Sequence, residues 1–150
     1  MIKIKKIVLT TGGFDPIHAG HLKYFEEAKQ LGDFLVVGLN SDDWLTRKKG
    51  KPFLNLEERL IIVKNFRMVD QVITWDDSDD TAIGAIKKLL LEHPDKKIIF
   101  ANGGDRNKEN IPEIENFSKI ENLDFIFGVG GENKMNSSSW ILDNWKKPLE

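Results

Sequence analysis

No cysteine occurs among the 150 residues. That absence excludes disulfide frameworks, Cys-based zinc sites, iron–sulfur clusters and thiol catalysis together. Long apolar runs are missing as well. Phe34–Leu39 and Leu60–Val63 are among the longest, far short of the ~20 residues a membrane-spanning helix needs. The basic opening Met1-Ile2-Lys3-Ile4-Lys5-Lys6 is followed by no apolar region with a cleavage site, so a cytoplasmic protein without a secretory signal is expected. Neither sign of charge dominates: 22 Lys+Arg against 24 Asp+Glu leave a formal net charge of -2. This balance weighs against a broad nucleic-acid or anionic-membrane surface, although an average can hide a local patch. No repeat, low-complexity stretch or linker divides the chain, and its length suits one domain spanning 1–150.

What is present is an alternation of short branched apolar runs with longer segments of helical period. The pattern predicts strands over Ile4–Thr10, Phe34–Leu39, Gln71–Trp75, Ile98–Ala101 and Phe125–Val129. Helices are expected over His21–Gln30, Leu56–Asn65, Thr81–Glu92, Pro112–Glu121 and Ser138–Trp145. Boundary residues agree: Asn55 with Glu58 forms a capping-box variant, Gly32 suits a helix C-terminus, Asp80 can cap a helix from Thr81, and Pro112 fits a first turn. Such alternation implies an α/β fold, a Rossmann-like, doubly wound parallel five-stranded sheet with helices on both faces. Ligands of such sheets bind beyond the C-terminal strand ends, near a topological switch.

The loop after the first strand reads Thr10-Thr11-Gly12-Gly13-Phe14-Asp15-Pro16-Ile17-His18-Ala19-Gly20-His21. Its glycine pair permits close backbone approach and positive φ. The helix that follows offers unpaired N–H groups and the positive end of a dipole, a setting for phosphate. His18 and His21 can share one side of the first turn, with Gly20 leaving room for a ligand. Taken alone, the pair is also compatible with helix-start hydrogen bonding or zinc ligation, though no third ligand lies nearby. Neither a G-x-G-x-x-G fingerprint nor a G-x-x-x-x-G-K-[ST] loop occurs anywhere in the chain.

On these residues the chain resembles the HxGH nucleotidyltransferase superfamily of the cytidylyltransferase-like kind, with His18-Ala19-Gly20-His21 as its signature. The resemblance runs from Ile7 to about Leu142. It implies attack by a phosphorylated acceptor on the α-phosphate of a nucleoside triphosphate, with release of pyrophosphate and no covalent enzyme intermediate. His18 and His21 would then be catalytic, and Thr10, Thr11, Gly12, Gly13, Phe14, Asp15 and Gly20 would surround the nucleotide.

Four cations stand in Arg47-Lys48-Lys49-Gly50-Lys51-Pro52, either a solvated basic turn or a neutraliser of triphosphate. The resemblance favours the latter, with Lys49 and Lys51 as the catalytic pair and Arg59 close to the nucleotide. Asp76-Asp77-Ser78-Asp79-Asp80 lacks the Gly and Glu of an EF-hand and reads as a capped, solvated loop. Asn102-Gly103-Gly104-Asp105 is a tight turn or a ribose and base contact, and it is similar to the Gly-Gly-Asp motif of heptose-1-phosphate adenylyltransferases. There Arg106 replaces the usual aromatic residue. Ser137, Ser138 and Ser139 can cap a helix or bind phosphate oxygens. In the family a Ser/Thr run holds triphosphate here, usually after an Arg, for which Lys134 stands in this chain.

His93, Trp140, Ile141 and Trp145 read as surface, packing or subunit-contact residues, while Trp44 and Trp75 suit either a core or a stacked base. The resulting expectation is an enzyme moving AMP or CMP from ATP or CTP to a phosphorylated small sugar or polyol. Mg²⁺ would arrive with the triphosphate, no protein metal site is expected, and a homodimer is the family's habit. The alternatives are a non-catalytic nucleotide sensor and an RNA-linked member of the superfamily.

Overall fold

The computed structural model describes residues 3–104, 111–117, 119–131 and 137–149. Strands β1 (Lys6–Gly12), β2 (Phe34–Leu39), β3 (Gln71–Ile73), β4 (Lys97–Gly103) and β5 (Leu123–Val129) form one parallel sheet in the order β3-β2-β1-β4-β5. Helices α1 (Ala19–Lys29), α2 (Asp42–Lys49) and α3 (Leu56–Lys64) belong to the first half, and α4 (Ile83–Glu92), α5 (Glu113–Phe117) and α6 (Ser138–Lys146) to the second. The chain winds outward from β1 to β3, then returns to β4 on the other side of β1. That reversal opens a crevice between the C-terminal ends of β1 and β4.

Side chains alternate along β1 and divide the core. Ile7 and Leu9 meet Ala85, Ile86 and Leu89 of α4 and Phe117 of α5. Val8 meets Phe25 and Ala28 of α1 and Val63 of α3 on the opposite face. Helices therefore cover both faces, as a parallel sheet requires. No described helix is long and apolar enough to cross a membrane.

A strand stands at each expected place, although β1 is shifted to Lys6–Gly12, β3 stops at Ile73 short of Trp75, β4 runs on to Gly103 and β5 starts at Leu123. The helix expected over Pro112–Glu121 is shorter, Glu113–Phe117. Helix α2 was not expected at all. It buries only Leu45, so it carries no apolar stripe to betray its period. Its termini make it instead: Ser41 Oγ accepts from Trp44 N, Asp42 and Asp43 occupy the first turn, and Arg47, Lys48 and Lys49 the last. Gly50, at φ 92°, ends it. Three of the four clustered cations thus lie on a helix rather than in a loop.

Other boundary expectations need correction. Helix α4 starts at Ile83, and Asp80 does not cap it; Asp80 adopts φ 64° and pairs with Arg47 at 3.1 Å. The acidic loop is not wholly solvated either. Asp77 is buried and accepts from Asn40 Nδ2, Ser41 N and Ser41 Oγ, clamping the loop after β3 to the loop after β2. Burial raises its pKa, but those hydrogen bonds and the Arg47 charge outweigh it and hold the carboxyl below its ordinary value. Gly32 lies in the turn after α1, where a Cβ would meet Val8 Cγ2 at 2.8 Å and Lys6 O at 2.9 Å. Close approach, not a left-handed backbone, demands glycine there. His93 caps the end of α4, whereas Trp140 and Trp145 are exposed and α6 buries no residue.

Candidate active site

The loop between β1 and α1 turns sharply at Phe14, which takes φ 49°, and at the cis Asp15–Pro16 bond. The positive φ expected at the glycine pair therefore falls on Phe14. Gly12 and Gly13 are needed for closeness: a Cβ would lie 2.9 Å from the Phe14 ring and 2.8 Å from Leu45 Cδ2, respectively. Phe14 packs edge-on to His21 and Phe25, which fixes the loop against α1.

His18 is the N-cap of α1, and its Nδ1 accepts from Gly20 N at 3.0 Å. His21 Nδ1 accepts in turn from His18 N at 3.3 Å. Both rings so use Nδ1 as an acceptor, which assigns the proton of each neutral imidazole to Nε2. The rings stack with centroids 3.8 Å apart. Gly20 is small because the His18 ring folds over it, where a Cβ would stand 2.8 Å from Cε1, and its backbone still lines the cavity. Desolvation, then the Lys49 charge, lowers the His18 pKa. Desolvation, His18 and Lys49 together push His21 down to about 3. Two neutral donors thus stand at the start of a helix.

These histidines wall a cavity of about 410 Å³ at the β1/β4 crevice, a size suited to a nucleotide or similar ligand. Thr11, Gly12, Gly13, Phe14 and Gly20 line it from the first loop, Asn102, Gly103 and Gly104 from the end of β4, and Ser137 and Ser138 from the start of α6. Segments far apart in the chain meet there as expected. Ser138 Oγ donates to Pro16 O at 2.8 Å, and Ser137 Oγ caps α6 by accepting from Trp140 N at 3.0 Å.

Other expected site residues lie elsewhere. Thr10 is fully buried within β1 and off the cavity wall. Asp15 is buried, and its carboxylate accepts from Phe53 N at 2.6 Å and Leu54 N at 2.7 Å, so it holds the segment before α3 rather than facing a ligand. Arg59 is 1% exposed. Its guanidinium donates to Gly13 O, Asn40 O, Leu54 O and Asp42 Oδ1 and forms an internal strut beneath the first loop. Lys49 is tethered by its ammonium to Asp15 O at 3.0 Å, beside the cavity but not on its wall. Desolvation lowers its pKa against the opposing pull of Asp15, and Arg59 adds to the lowering. Lys51 and Ser139 are exposed and off the wall. Asp105 and Lys134 lie outside the described residues.

A family model described as cytidylyltransferase-like matches residues 9–140. The chain belongs to the cytidylyltransferase-like family.

Among curated relatives of this family member, the bifunctional protein HldE of Helicobacter hepaticus is 36% identical over 138 residues, 91% of this chain and 27% of that protein. HldE of Campylobacter jejuni subsp. jejuni is 41% identical over 126 residues, 83% of this chain and 26% of its own. The chain thus spans about a quarter of the length of these relatives. Among solved structures, the lipopolysaccharide core biosynthesis protein of Thermoplasma volcanium superposes with a TM-score of 0.65 at 28% identity, covering 88% of this chain and all (100%) of that one. The two chains share their fold over that span.

The family member's cavity also has walls that its motifs did not reveal: Lys23, Tyr24, Asn40, Ala82, Glu113 and Gly130. Tyr24 follows His21 by one helical step, so helical spacing could have found it. Its hydroxyl donates to Ala101 O at 2.5 Å, tying α1 to β4. Asn40 directly follows β2, one of the strand ends where ligands are expected. Nothing local marks Glu113, because only the docking of α5 beside α4 brings it there.

Proposed function

We propose that this chain transfers AMP or CMP from ATP or CTP to the phosphate of a small sugar or polyol and releases pyrophosphate. The observation that carries this reading is the His18–His21 pair: two imidazoles locked through Nδ1, with Nε2–H left as the donor edge on the wall of a nucleotide-sized cavity. An acceptor phosphate oxygen attacks the α-phosphorus in line. The bond from that phosphorus to the bridging oxygen breaks, and pyrophosphate leaves with the electron pair. Donors already in place stabilise the charge as it develops and need no reorganisation. The acceptor phosphate is itself an anion at neutral pH, so no strong base is required.

The remaining roles follow the family resemblance. The Gly12-Gly13 backbone, Ser137 and Ser138 would hold phosphate oxygens, with Lys49, Lys51 and Lys134 supplying positive charge. Mg²⁺ would offset what charge remains on the triphosphate. The described residues hold no group of three or more His, Asp or Glu that could hold a metal ion, so phosphate oxygens and water would be the ion's main ligands, as is usual for Mg²⁺. The resemblance of the Asn102-Gly103-Gly104-Asp105 sequence favours adenylyl transfer to a heptose-phosphate-like acceptor over cytidylyl transfer to glycerol phosphate. A homodimer is a separate part of the proposal, checked by whether the sedimenting mass is twice the 17.2 kDa chain.

The test is a pyrophosphate-release screen of four nucleoside triphosphates against phosphorylated sugars and polyols. Release that needs both one triphosphate and one acceptor supports the reading. Tight triphosphate binding with no release for any pair would point instead to a sensor.

A further inference from the structure

The cavity joins two unlike surfaces. On the α1 face stand the histidines, Lys23 and the helix starts that suit phosphate. On the α4/α5 face the wall is Trp75, Asp80, Ala82 and Glu113, with no cation among these described residues. Glu113 is 1% exposed. Its Oε1 accepts from Ala82 N at 2.8 Å and so caps the start of α4 beside Thr81 Oγ1, which accepts from Ile83 N at 3.2 Å; Ala82 itself has no capping side chain. A helix N-terminus is the favourable place for a carboxylate. Its other oxygen, Oε2, is buried and has no hydrogen-bond partner among the described residues. An unpartnered acceptor in such a place is costly unless a ligand completes it.

Trp75 shapes the same corner. Its ring lies against Gly38 and Gly84, where a Cβ would stand 2.9 Å and 3.1 Å from it, and its Nε1 donates to Thr81 O at 2.9 Å. An immobilised indole beside an acceptor-only carboxylate suits a polyhydroxylated ligand, with C–H groups on the ring and a hydroxyl on the oxygen. A phosphate would face the Glu113 carboxylate here, and the Arg47 cation beside Asp80 is already engaged by the Asp80 carboxylate.

We infer that Glu113 is a specificity residue for the second substrate: its Oε2 accepts a hydrogen bond from one hydroxyl of the sugar or polyol whose phosphate points towards the histidines. This rests on the transfer reading for the nature of that substrate. A nucleobase amino group is the competing donor, and the corner's place on the face opposite the phosphate-binding groups favours the acceptor.

Calorimetric titration of the full chain tests it, using heptose 1-phosphate, mannose 1-phosphate and glycerol 3-phosphate, and separately ATP and CTP. Glu113→Gln keeps an oxygen for Ala82 N but replaces a charged acceptor by a neutral amide. Charge-assisted hydrogen bonds are about twice as strong as neutral ones, so the affinity of the bound sugar or polyol phosphate should fall about tenfold while nucleotide affinities stay within about twofold. Removing the one recognised hydroxyl from that ligand should cost the wild type about 10- to 100-fold and the variant much less. Even if the variant fails to fold, wild-type affinity that is the same for every deoxy analogue would overturn the inference. Loss of nucleotide affinity instead, an unchanged sugar or polyol phosphate affinity, or no binding of any of the three would overturn the inference. If the wild type binds such a phosphate through Glu113 yet never releases pyrophosphate, the transfer reading fails and this inference stands. Turnover with an unaltered acceptor affinity in Glu113→Gln gives the reverse.

Discussion

His18 and His21 form a reciprocal cap at the start of α1: each ring takes a backbone N–H on Nδ1, from Gly20 and His18 respectively. The two rings therefore serve the helix and the cavity at once, one edge for each. Loss of a donor aimed at transition-state charge typically costs about 10²–10³ in kcat. His18→Ala should show that loss with triphosphate KM little changed. Loss of the α1 cap should cost about 1 kcal/mol. Near-normal turnover in a folded His18→Ala protein removes the catalytic role.

The low pKa of His21 gives a stability signature. Its folded value is about 3 against an ordinary 6.5, so below pH 6.5 the unfolded chain binds a proton that the folded chain refuses. Stability from this residue is complete above about pH 6.5 and is lost as pH falls from there towards 3, by at most ~1.4 kcal/mol per pH unit. Urea unfolding of wild type and His21→Asn between pH 4 and 7.5 should show the steeper acid loss in the wild type. Parallel curves would refute the shift.

Arg59 serves the structure before it serves any ligand. Its removal orphans the carbonyls of Gly13 and Asn40, and a buried unsatisfied polar group costs about 1–3 kcal/mol. Arg59→Met should lower stability by about 3 kcal/mol or more, and Arg59→Lys should rescue little, because an ammonium cannot replace the fork. Denaturant midpoints of the two variants check this.

Lys49 and Lys51 should separate. Lys49 is held at the Asp15 carbonyl near the histidines, whereas Lys51 is exposed. Lys49→Ala should reduce kcat/KM for the triphosphate about 10- to 100-fold, the scale of a lost charged hydrogen bond. Lys51→Ala should have a smaller effect, fading with added salt. Equal effects would contradict the placement.

Much of this was legible in the linear chain because hydrophobic period reports burial directly. All five apolar runs fall on strands of the sheet, with C-terminal ends two residues off at β1, β3 and β4, and the Asn55 cap is seen in the Glu58 N–H bond at 3.0 Å. Helix α2 was invisible for the same reason in reverse, since termini rather than an apolar stripe support it. Asp15 and Arg59 were named near the site from motif position, but sequence could not show that their polar atoms are consumed by backbone groups of neighbouring loops. Glu113 was hidden altogether. Its cap on α4 joins residues 31 positions apart, and no local pattern encodes such a pairing.

The most direct measurement is pyrophosphate release by the purified chain with one triphosphate and one sugar phosphate, alone and together. Nucleotidyl transfer by this chain predicts release only when both are present, with the nucleotidyl group recovered on the sugar phosphate. It also predicts a drop of about 10²–10³ on His18→Ala. Release from the triphosphate alone, or none for any pair by a folded protein that binds both, would contradict it.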